Sequence, residues 1–184
     1  MKNTLETFGI AFGLFAAAAL GCSERPGPTD AEVKAAIERF DTLLKGYAAR
    51  KDPADVDRML DALKVAVSGT NEFSATSRLP LLGFLRNVFA ANPGRADEWK
   101  GRSGEFAGSV VAGVLKEAWE FDEKGFLGQD ADSGQLDYCW GAFYATGDIA
   151  YAQKVVSIAL ARGPENGVDI CQMAAAWSLK SFAV

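Results

Sequence analysis

The side chains best suited to acid–base chemistry in this sequence are pairs of neighbouring carboxylates. Three pairs stand out: Glu117 with Glu120, Asp122 with Glu123, and Asp55 with Asp57. Two carboxyl groups on either side of a sugar are the machinery of a glycosidase. Because these pairs fall on the solvated faces or ends of predicted helices, we interpret them first as surface groups. A hydrolase that uses them is the alternative hypothesis.

Several other chemistries are disfavoured because the residues they need are missing. The sequence contains no histidine, which is the commonest general base and metal ligand in proteins. Its three cysteines include no Cys-x-x-Cys pair of the kind that binds zinc. The acidic loop that begins at Asp130 does not fit a calcium loop, since Gly134 and Gly141 occupy the fifth and twelfth positions. We therefore predict no catalytic residue, no metal and no cofactor.

The charge balance argues against partners rich in phosphate. The chain has 19 lysine and arginine residues against 24 aspartate and glutamate residues, which gives a net charge of −5. No basic run or stripe interrupts this balance, whereas nucleic-acid binding depends on clustered positive charge. We predict no interaction with nucleic acid.

Four tryptophans could line an apolar or sugar-binding groove. They are Trp99, Trp119, Trp140 and Trp177. Aromatic side chains that recur at helical spacing usually pack into the core of a protein. We predict that these four are core residues, and a groove for a small ligand is the alternative.

Cys139 and Cys171 form a candidate disulfide. Each lies on a predicted helix, and one further helix separates the two, so that stacked hairpins would make their helices neighbours. The bond would need an oxidising compartment. Two buried free thiols are the alternative, because a free cysteine packs as a small hydrophobic residue.

The triplet Thr146-Gly147-Asp148 indicates a corner between two helices. Gly147 suits the left-handed position just past a helix C-terminus, and Asp148 suits the N-cap of the next helix. We therefore interpret the triplet as the turn of a helical hairpin, with ligand binding as the alternative.

Apolar residues recur at steps of three and four along almost the whole chain after residue 29. This spacing predicts an all-α fold, in which helical hairpins pack as a small bundle or a short solenoid-like stack. We expect about seven helices, near 31–49, 53–67, 80–91, 104–121, 135–146, 149–162 and 168–181. Between them we expect a turn that carries Trp99 and a loop over 122–135.

Two local signals refine this pattern. Asp52 suits the N-cap of the second helix and Pro53 suits its first turn. In the fourth helix, Gly104, Gly108 and Gly113 either permit close approach of another helix or weaken the helix locally.

Residues 1–21 are predicted to be a targeting signal and not part of the folded domain. Lys2 gives a weakly positive start, and Phe8 to Leu20 is a 13-residue apolar run without charge. Such a run is too short to span a bilayer, which takes about 20 residues. It fits the core of a secretion signal.

The end of this run, Ala19-Leu20-Gly21-Cys22, resembles a bacterial lipobox, although Ala19 stands where that family favours leucine. The resemblance implies a lipoprotein signal peptide over 1–21, lipidation of Cys22, a tether over 22–29 and a single helical domain over 30–184. Ser23 after the cysteine implies the outer membrane, with the domain facing the periplasm. An ordinary cleaved signal with an incidental cysteine is the alternative.

A second resemblance covers about residues 80–183. The motifs that carry it are Pro80-Leu81 through Phe84, Asn92-Pro93 followed by Trp99, Trp140 with Phe143, Ala145-Thr146-Gly147-Asp148 with Tyr151, and Ala176-Trp177-Ser178-Leu179-Lys180-Ser181. They resemble an uncharacterised family of bacterial helical proteins, in which such motifs are helix-packing signatures. Phe182 stands where members often have asparagine. The resemblance implies a helical fold and no particular activity.

Two classes of function follow. The first is a membrane-anchored envelope lipoprotein that acts as an interaction or structural module, with the membrane and an envelope protein as its partners. The second is an envelope hydrolase or small-ligand binder that uses carboxylates and aromatics. Because the sequence has no recognisable catalytic motif, it favours the first class over an enzyme.

Overall fold

The computed structural model describes residues 27–69, 77–129, 132–160 and 174–176. Within these ranges every regular element is a helix, so the predicted all-α fold of packed helices is confirmed. The elements are α1 (Asp30–Arg50), α2 (Pro53–Gly69), α3 (Arg78–Ala91), α4 (Pro93–Gly101), a 3-10 helix (Arg102–Phe106), α5 (Val110–Glu117), α6 (Glu123–Leu127), α7 (Ser133–Thr146) and α8 (Ile149–Leu160). Residues 174–176 are also helical.

Helices α1 and α2 form a hairpin with polar caps. At the start of α1, the backbone N–H of Glu32 donates to Thr29 Oγ1 at 3.3 Å, and the Thr29 N–H donates to the Glu32 carboxylate at 2.7 Å. This reciprocal capping box fixes where α1 begins. Helix α1 ends at Lys51, which adopts the left-handed conformation with φ 50°. Asp52 then accepts from the Ala54 N–H at 2.9 Å, which confirms the N-cap predicted for the second helix.

Helices α3 and α7 cross so closely that their backbones touch. A Cβ atom built on Gly83 would collide with the carbonyl oxygen of Tyr138, and one built on Gly141 would collide with the carbonyl oxygen of Pro80. Both glycines are buried. Only glycine allows the two helices to approach this closely, because any side chain at these positions would hold the axes of α3 and α7 apart.

Helix α7 is buried on two of its faces, each in its own apolar cluster. One face joins the main core, which also takes side chains from α1 to α5 and from the 3-10 helix. The other face joins a smaller cluster, which we call the α8 cluster and which consists of Leu136, Cys139, Trp140, Val155, Ile158 and Ala175.

Two predicted segments around Trp99 are wrong. The turn expected to carry Trp99 is helix α4, because Pro93 ends α3 and then occupies the first turn of a new helix, where its missing N–H costs nothing. The helix expected over 104–121 is interrupted, since Gly108 takes a φ of 83° between the 3-10 helix and α5. Gly104 and Gly113 face open space, so they do not serve a close helix approach.

Two further predictions concern the second half of the chain. The loop expected over 122–135 contains the short helix α6, which Asp122 caps by accepting from the Gly125 N–H at 3.0 Å. The last predicted helix, 168–181, lies outside the described residues except for 174–176, which are helical as predicted.

Candidate functional site

The triplet Thr146-Gly147-Asp148 is a tight corner between α7 and α8, as predicted. Gly147 is left-handed with φ 71°, and its N–H donates to the Phe143 carbonyl at 2.8 Å. Thr146 Oγ1 accepts from the Asp148 N–H at 2.9 Å, and Asp148 Oδ1 accepts from the Ala150 N–H at 2.9 Å. The polar atoms of the triplet are therefore engaged in local caps, which explains the motif without a ligand.

The candidate pair Glu117 and Glu120 is split between two cations. Glu117 pairs with Arg78 at 2.8 Å, which ties α5 to the start of α3. Glu120 lies 3.8 Å from Lys100. Both acids sit in exposed or half-exposed positions, where an ion pair contributes about 0–1 kcal/mol. Each acid of the pair therefore bonds to a different neighbouring element. The two carboxylates do not line one cleft, as a pair of catalytic acids would.

Asp55 is not the surface group that the sequence predicted. It is 2% exposed, and its carboxylate accepts from Arg50 Nε at 2.6 Å and from Arg58 Nη1 at 2.5 Å. Burial alone would raise the pKa of Asp55, but the hydrogen bonds from the two arginines outweigh it and hold the pKa below its usual range. Asp55 thus stays ionised and joins the end of α1 to the start of α2.

Asp57 anchors an ion network between α2 and α4. It accepts from the Trp99 indole N–H at 2.8 Å and from Arg95 Nη2 at 3.0 Å, while the Arg95 guanidinium lies 5.1 Å from the centre of the Trp99 ring. The ring is fully buried and stacks on Phe89. This cation–π contact and charged hydrogen bond hold Trp99 as a core residue.

The 3-10 helix extends this network along α2. Arg102 donates to Asp61 at 2.7 Å and to Glu105 at 3.0 Å, and Lys64 donates to Glu105 at 3.0 Å. The hydrogen bonds from Arg102 and Lys64 lower the pKa of Glu105 to about 2. These charges neutralise one another, so this face of α2 holds the 3-10 helix in place by ion pairs.

The remaining acid, Glu123, belongs to a polar group that we call the Glu123 cluster: Glu123, Asn87, Tyr138 and Tyr151. The Tyr151 hydroxyl donates to Glu123 Oε1 at 2.6 Å and lies 3.1 Å from Asn87 Oδ1. Asn87 Nδ2 donates to the Gly83 carbonyl at 3.0 Å and lies 3.4 Å from Glu123 Oε1. The cluster therefore brings together side chains from α3, α6, α7 and α8.

Tyr138 lies beneath Glu123 among aromatic rings. Its ring centroid is 5.3 Å from those of Phe121 and Phe126. Its buried hydroxyl makes no hydrogen bond of good geometry within the described part of the chain. Burial raises the pKa of Tyr138, and the charge of Glu123 raises it further. Burial and the hydrogen bond to Glu123 likewise raise the pKa of Tyr151, so both phenols are protonated at neutral pH.

The chemistry open to the Glu123 cluster is hydrogen bonding. A carboxylate beside two protonated phenols can hold a hydroxyl or amide group of a ligand. It does not form the carboxylate pair that the sequence suggested, because the Asp122 carboxylate turns to its own helix end and caps α6. No local pattern predicts this cluster, because Asn87 and Glu123 stand 36 residues apart along the chain and Glu123 and Tyr151 stand 28 residues apart.

The tryptophans divide between core and surface. Trp99 and Trp140 are buried, as predicted for core residues. Trp119 is 41% exposed, so the prediction of a core position is wrong there. It lies in the turn after α5, in which the neighbouring Ala118 takes the buried position. Trp177 lies outside the described residues.

The Cys139 thiol is buried in the α8 cluster. Burial raises the pKa of this thiol to about 11, which makes it a poor nucleophile at neutral pH. Cys171 and the candidate lipidation residue Cys22 lie outside the described residues, so the disulfide and the lipid attachment stay predictions. No group of three or more cysteine, aspartate or glutamate side chains in the described ranges could hold a metal ion.

Comparison of this chain with known protein families, with curated proteins and with solved structures finds no match. The resemblance of residues 80–183 to a family of helical proteins therefore stays a prediction. Across the ranges that the structure describes, no helix combines the length and apolar character needed to cross a bilayer.

Proposed function

We propose that this chain is a membrane-anchored envelope lipoprotein whose helical domain is an interaction or structural module. One observation carries the proposal: Cys22 ends a charge-free apolar run and stands seven residues before Thr29, where the capping box begins α1. An export signal, a lipidated cysteine, a short tether and a folded domain would follow one another in this order. Ser23 after the cysteine supports the outer membrane as the destination, with the domain in the periplasm.

The polar contacts of the domain support interaction over catalysis. Of the six carboxylates that the sequence marked as candidates, five are engaged in caps or with arginine and lysine, and Glu123 accepts from Tyr151. An arrangement of this kind fixes helices relative to one another and leaves a rigid outer surface. We propose that this surface contacts another component of the envelope.

The test is metabolic labelling of the full-length protein with a fatty-acid analogue, followed by fractionation of the envelope. We expect the wild-type protein and Cys139→Ala to take up the label and to stay with the membrane. Cys22→Ala should take up no label and should be released. If the wild-type protein is unlabelled and soluble in the periplasm, the proposal is wrong. If the wild-type protein is labelled and membrane-bound, crosslinking and pull-down from these membranes identify its protein partner.

The Glu123 cluster favours a second candidate, an envelope hydrolase or small-ligand binder. The specific observation is a carboxylate held among Tyr138, Tyr151 and Phe121, with the Tyr138 hydroxyl buried and without a well-formed hydrogen bond. A set of mono- and disaccharides tested by thermal shift would reveal a ligand. Stabilisation of the wild-type protein that is lost in Glu123→Gln would support this candidate, and no stabilisation by any sugar would contradict it.

A further inference from the structure

Helix α8 presents an apolar stripe to solvent. Ile149, Val156 and Leu160 are 62%, 38% and 77% exposed. At about 100° per residue, positions seven and eleven residues after Ile149 lie within about 20° of it around the helix axis, so the three side chains form one line. Val155 and Ile158 lie on the opposite face and are buried in the α8 cluster. Helix α8 is therefore apolar on two faces, of which one is packed against α7.

The helix is also almost free of charge. Lys154 is the one charged residue among the 12 residues of α8, in a chain whose net charge is −5. Its ammonium group donates to the Leu127 carbonyl at 3.1 Å, and so points toward α6 and away from the stripe. The residues Ile149–Leu160 include no acid, and Asp148, which precedes them, accepts from the Ala150 N–H at the start of the helix. An apolar line on a helix without acidic residues suits a lipid surface, where acidic side chains would be repelled by anionic headgroups.

The tether proposed above holds the domain close to such a surface. Thr29, where α1 is capped, is the seventh residue after Cys22. A chain of that length spans at most about 25 Å even when it is fully extended. A folded domain of about 150 residues has a radius of gyration of about 15 Å. The tether therefore keeps the start of α1 within about 25 Å of the lipid, a distance shorter than the domain is wide, so that one face of the domain can rest on the headgroups.

We infer that this face is the outer side of α8, and that Ile149, Val156 and Leu160 contact the lipid surface to which the chain is anchored. The helix then lies in the plane of the membrane interface, with its stripe among the headgroups and its other face against α7. The inference rests on the proposed anchor at Cys22. A second copy of the chain and an envelope protein are competing occupants of the stripe, and the test distinguishes them.

The experiment places a photoreactive benzoylphenylalanine at Val156 or at Leu160 of the full-length protein in cells. The matched control carries it at Asp97, which is exposed on α4. Circular dichroism of each purified variant checks that the helices are retained. After irradiation, trypsin releases residues 155–162, which include Val156 and Leu160, as a single peptide separate from the lipid at Cys22, and mass spectrometry identifies any adduct on it.

We expect phospholipid adducts on this peptide from the variants at 156 and 160, and none on the tryptic peptide 96–100 that carries the control position 97. Adducts to a second copy, adducts to another protein, the absence of adducts, or equal lipid adducts at 97 would each overturn the inference. Lipid on Cys22 is measured in the same sample. Lipid on Cys22 without adducts on the stripe overturns this inference alone, whereas adducts on the stripe without lipid on Cys22 overturn the anchor alone.

Discussion

Gly141 of α7 and Pro80 of α3 meet backbone to backbone, with no room between them for a methyl group. Gly83 and Tyr138 repeat this relationship from the opposite side of the same crossing. The two glycines therefore set the distance between α3 and α7. Everything that α7 carries on its other faces, including the Tyr138 ring and the α8 cluster, depends on this distance.

The first prediction follows from that crossing. Gly141→Ala should lower the free energy of unfolding by about 1–3 kcal/mol or more, because the added methyl group forces the two backbones apart. The matched control is Gly113→Ala on α5, where a Cβ meets nothing within 4 Å. That substitution should raise stability by about 0.5–1 kcal/mol, since alanine favours the helix. Urea unfolding measures the stability of both variants. Equal stabilities of Gly141→Ala and Gly113→Ala would contradict the close approach of α3 and α7 at Gly141.

The corner between α7 and α8 gives a second prediction. A side chain with a Cβ is strained at the φ of 71° that Gly147 adopts. Gly147→Val should therefore cost about 1–2 kcal/mol and lower the Tm by several degrees. Gly147→Asn should cost less, because asparagine tolerates the left-handed conformation. If thermal unfolding shows the same Tm for Gly147→Val and Gly147→Asn, backbone strain at residue 147 is not the cause of the destabilisation.

The third prediction concerns the pH dependence of stability. Because the pKa of Asp55 is lower in the folded chain than in the unfolded chain, Asp55 adds stability above its unfolded pKa. This contribution is lost as the pH falls from about 4 through the lower folded value. At pH 7, Asp55→Asn should cost about 1–3 kcal/mol, since it weakens two charged hydrogen bonds of a buried group.

The measurement for Asp55 is urea unfolding from pH 7 down to pH 3. The gap between the wild-type protein and Asp55→Asn should narrow as the pH falls below about 4, because protonation removes the same interaction. Asp61→Asn is the control, since the Asp61 side chain is 65% exposed and its pair with Arg102 contributes little. A gap that stays constant with pH would show that the charge of Asp55 is not what stabilises the fold.

The fourth prediction tests the hydrogen bond that joins α8 to α6. Tyr151→Phe and Glu123→Gln should each destabilise the protein, because each removes or weakens a 2.6 Å bond to a charged acceptor. In the double variant the two losses should not add, and the coupling free energy should be about 0.5–3 kcal/mol. Strictly additive losses would mean that the two groups do not interact in solution.

The elements of this fold that depend on local sequence were predictable. The three-four spacing predicted α1, α2, α3, α7 and α8, because each buries at least one continuous line of apolar side chains. The Asp52 cap and the left-handed Gly147 also follow from neighbours within four residues. Helix α4 was missed because Pro93 signals both the end of one helix and the start of the next.

The site could not be predicted in the same way. Burial of Asp55 depends on two arginines that fold back over it, although the sequence alone places it in the exposed first turn of a helix. The Glu123 cluster needs α3, α6 and α8 to be placed by the α3–α7 crossing before its side chains meet. That crossing in turn depends on Gly83 and Gly141, whose role is visible only once their facing backbones are known.

The two clusters on either side of α7 have a consequence for how the molecule opens. Among the described residues, the α8 cluster that holds α8 has six buried side chains, whereas α3 is held by the much larger main core. Native-state hydrogen exchange should therefore find two cooperative units, in which the amides of α8 exchange through a partial opening that leaves α3 and α7 protected. Reagents would reach the Cys139 thiol through that opening, at a rate governed by release of α8 and not by global unfolding.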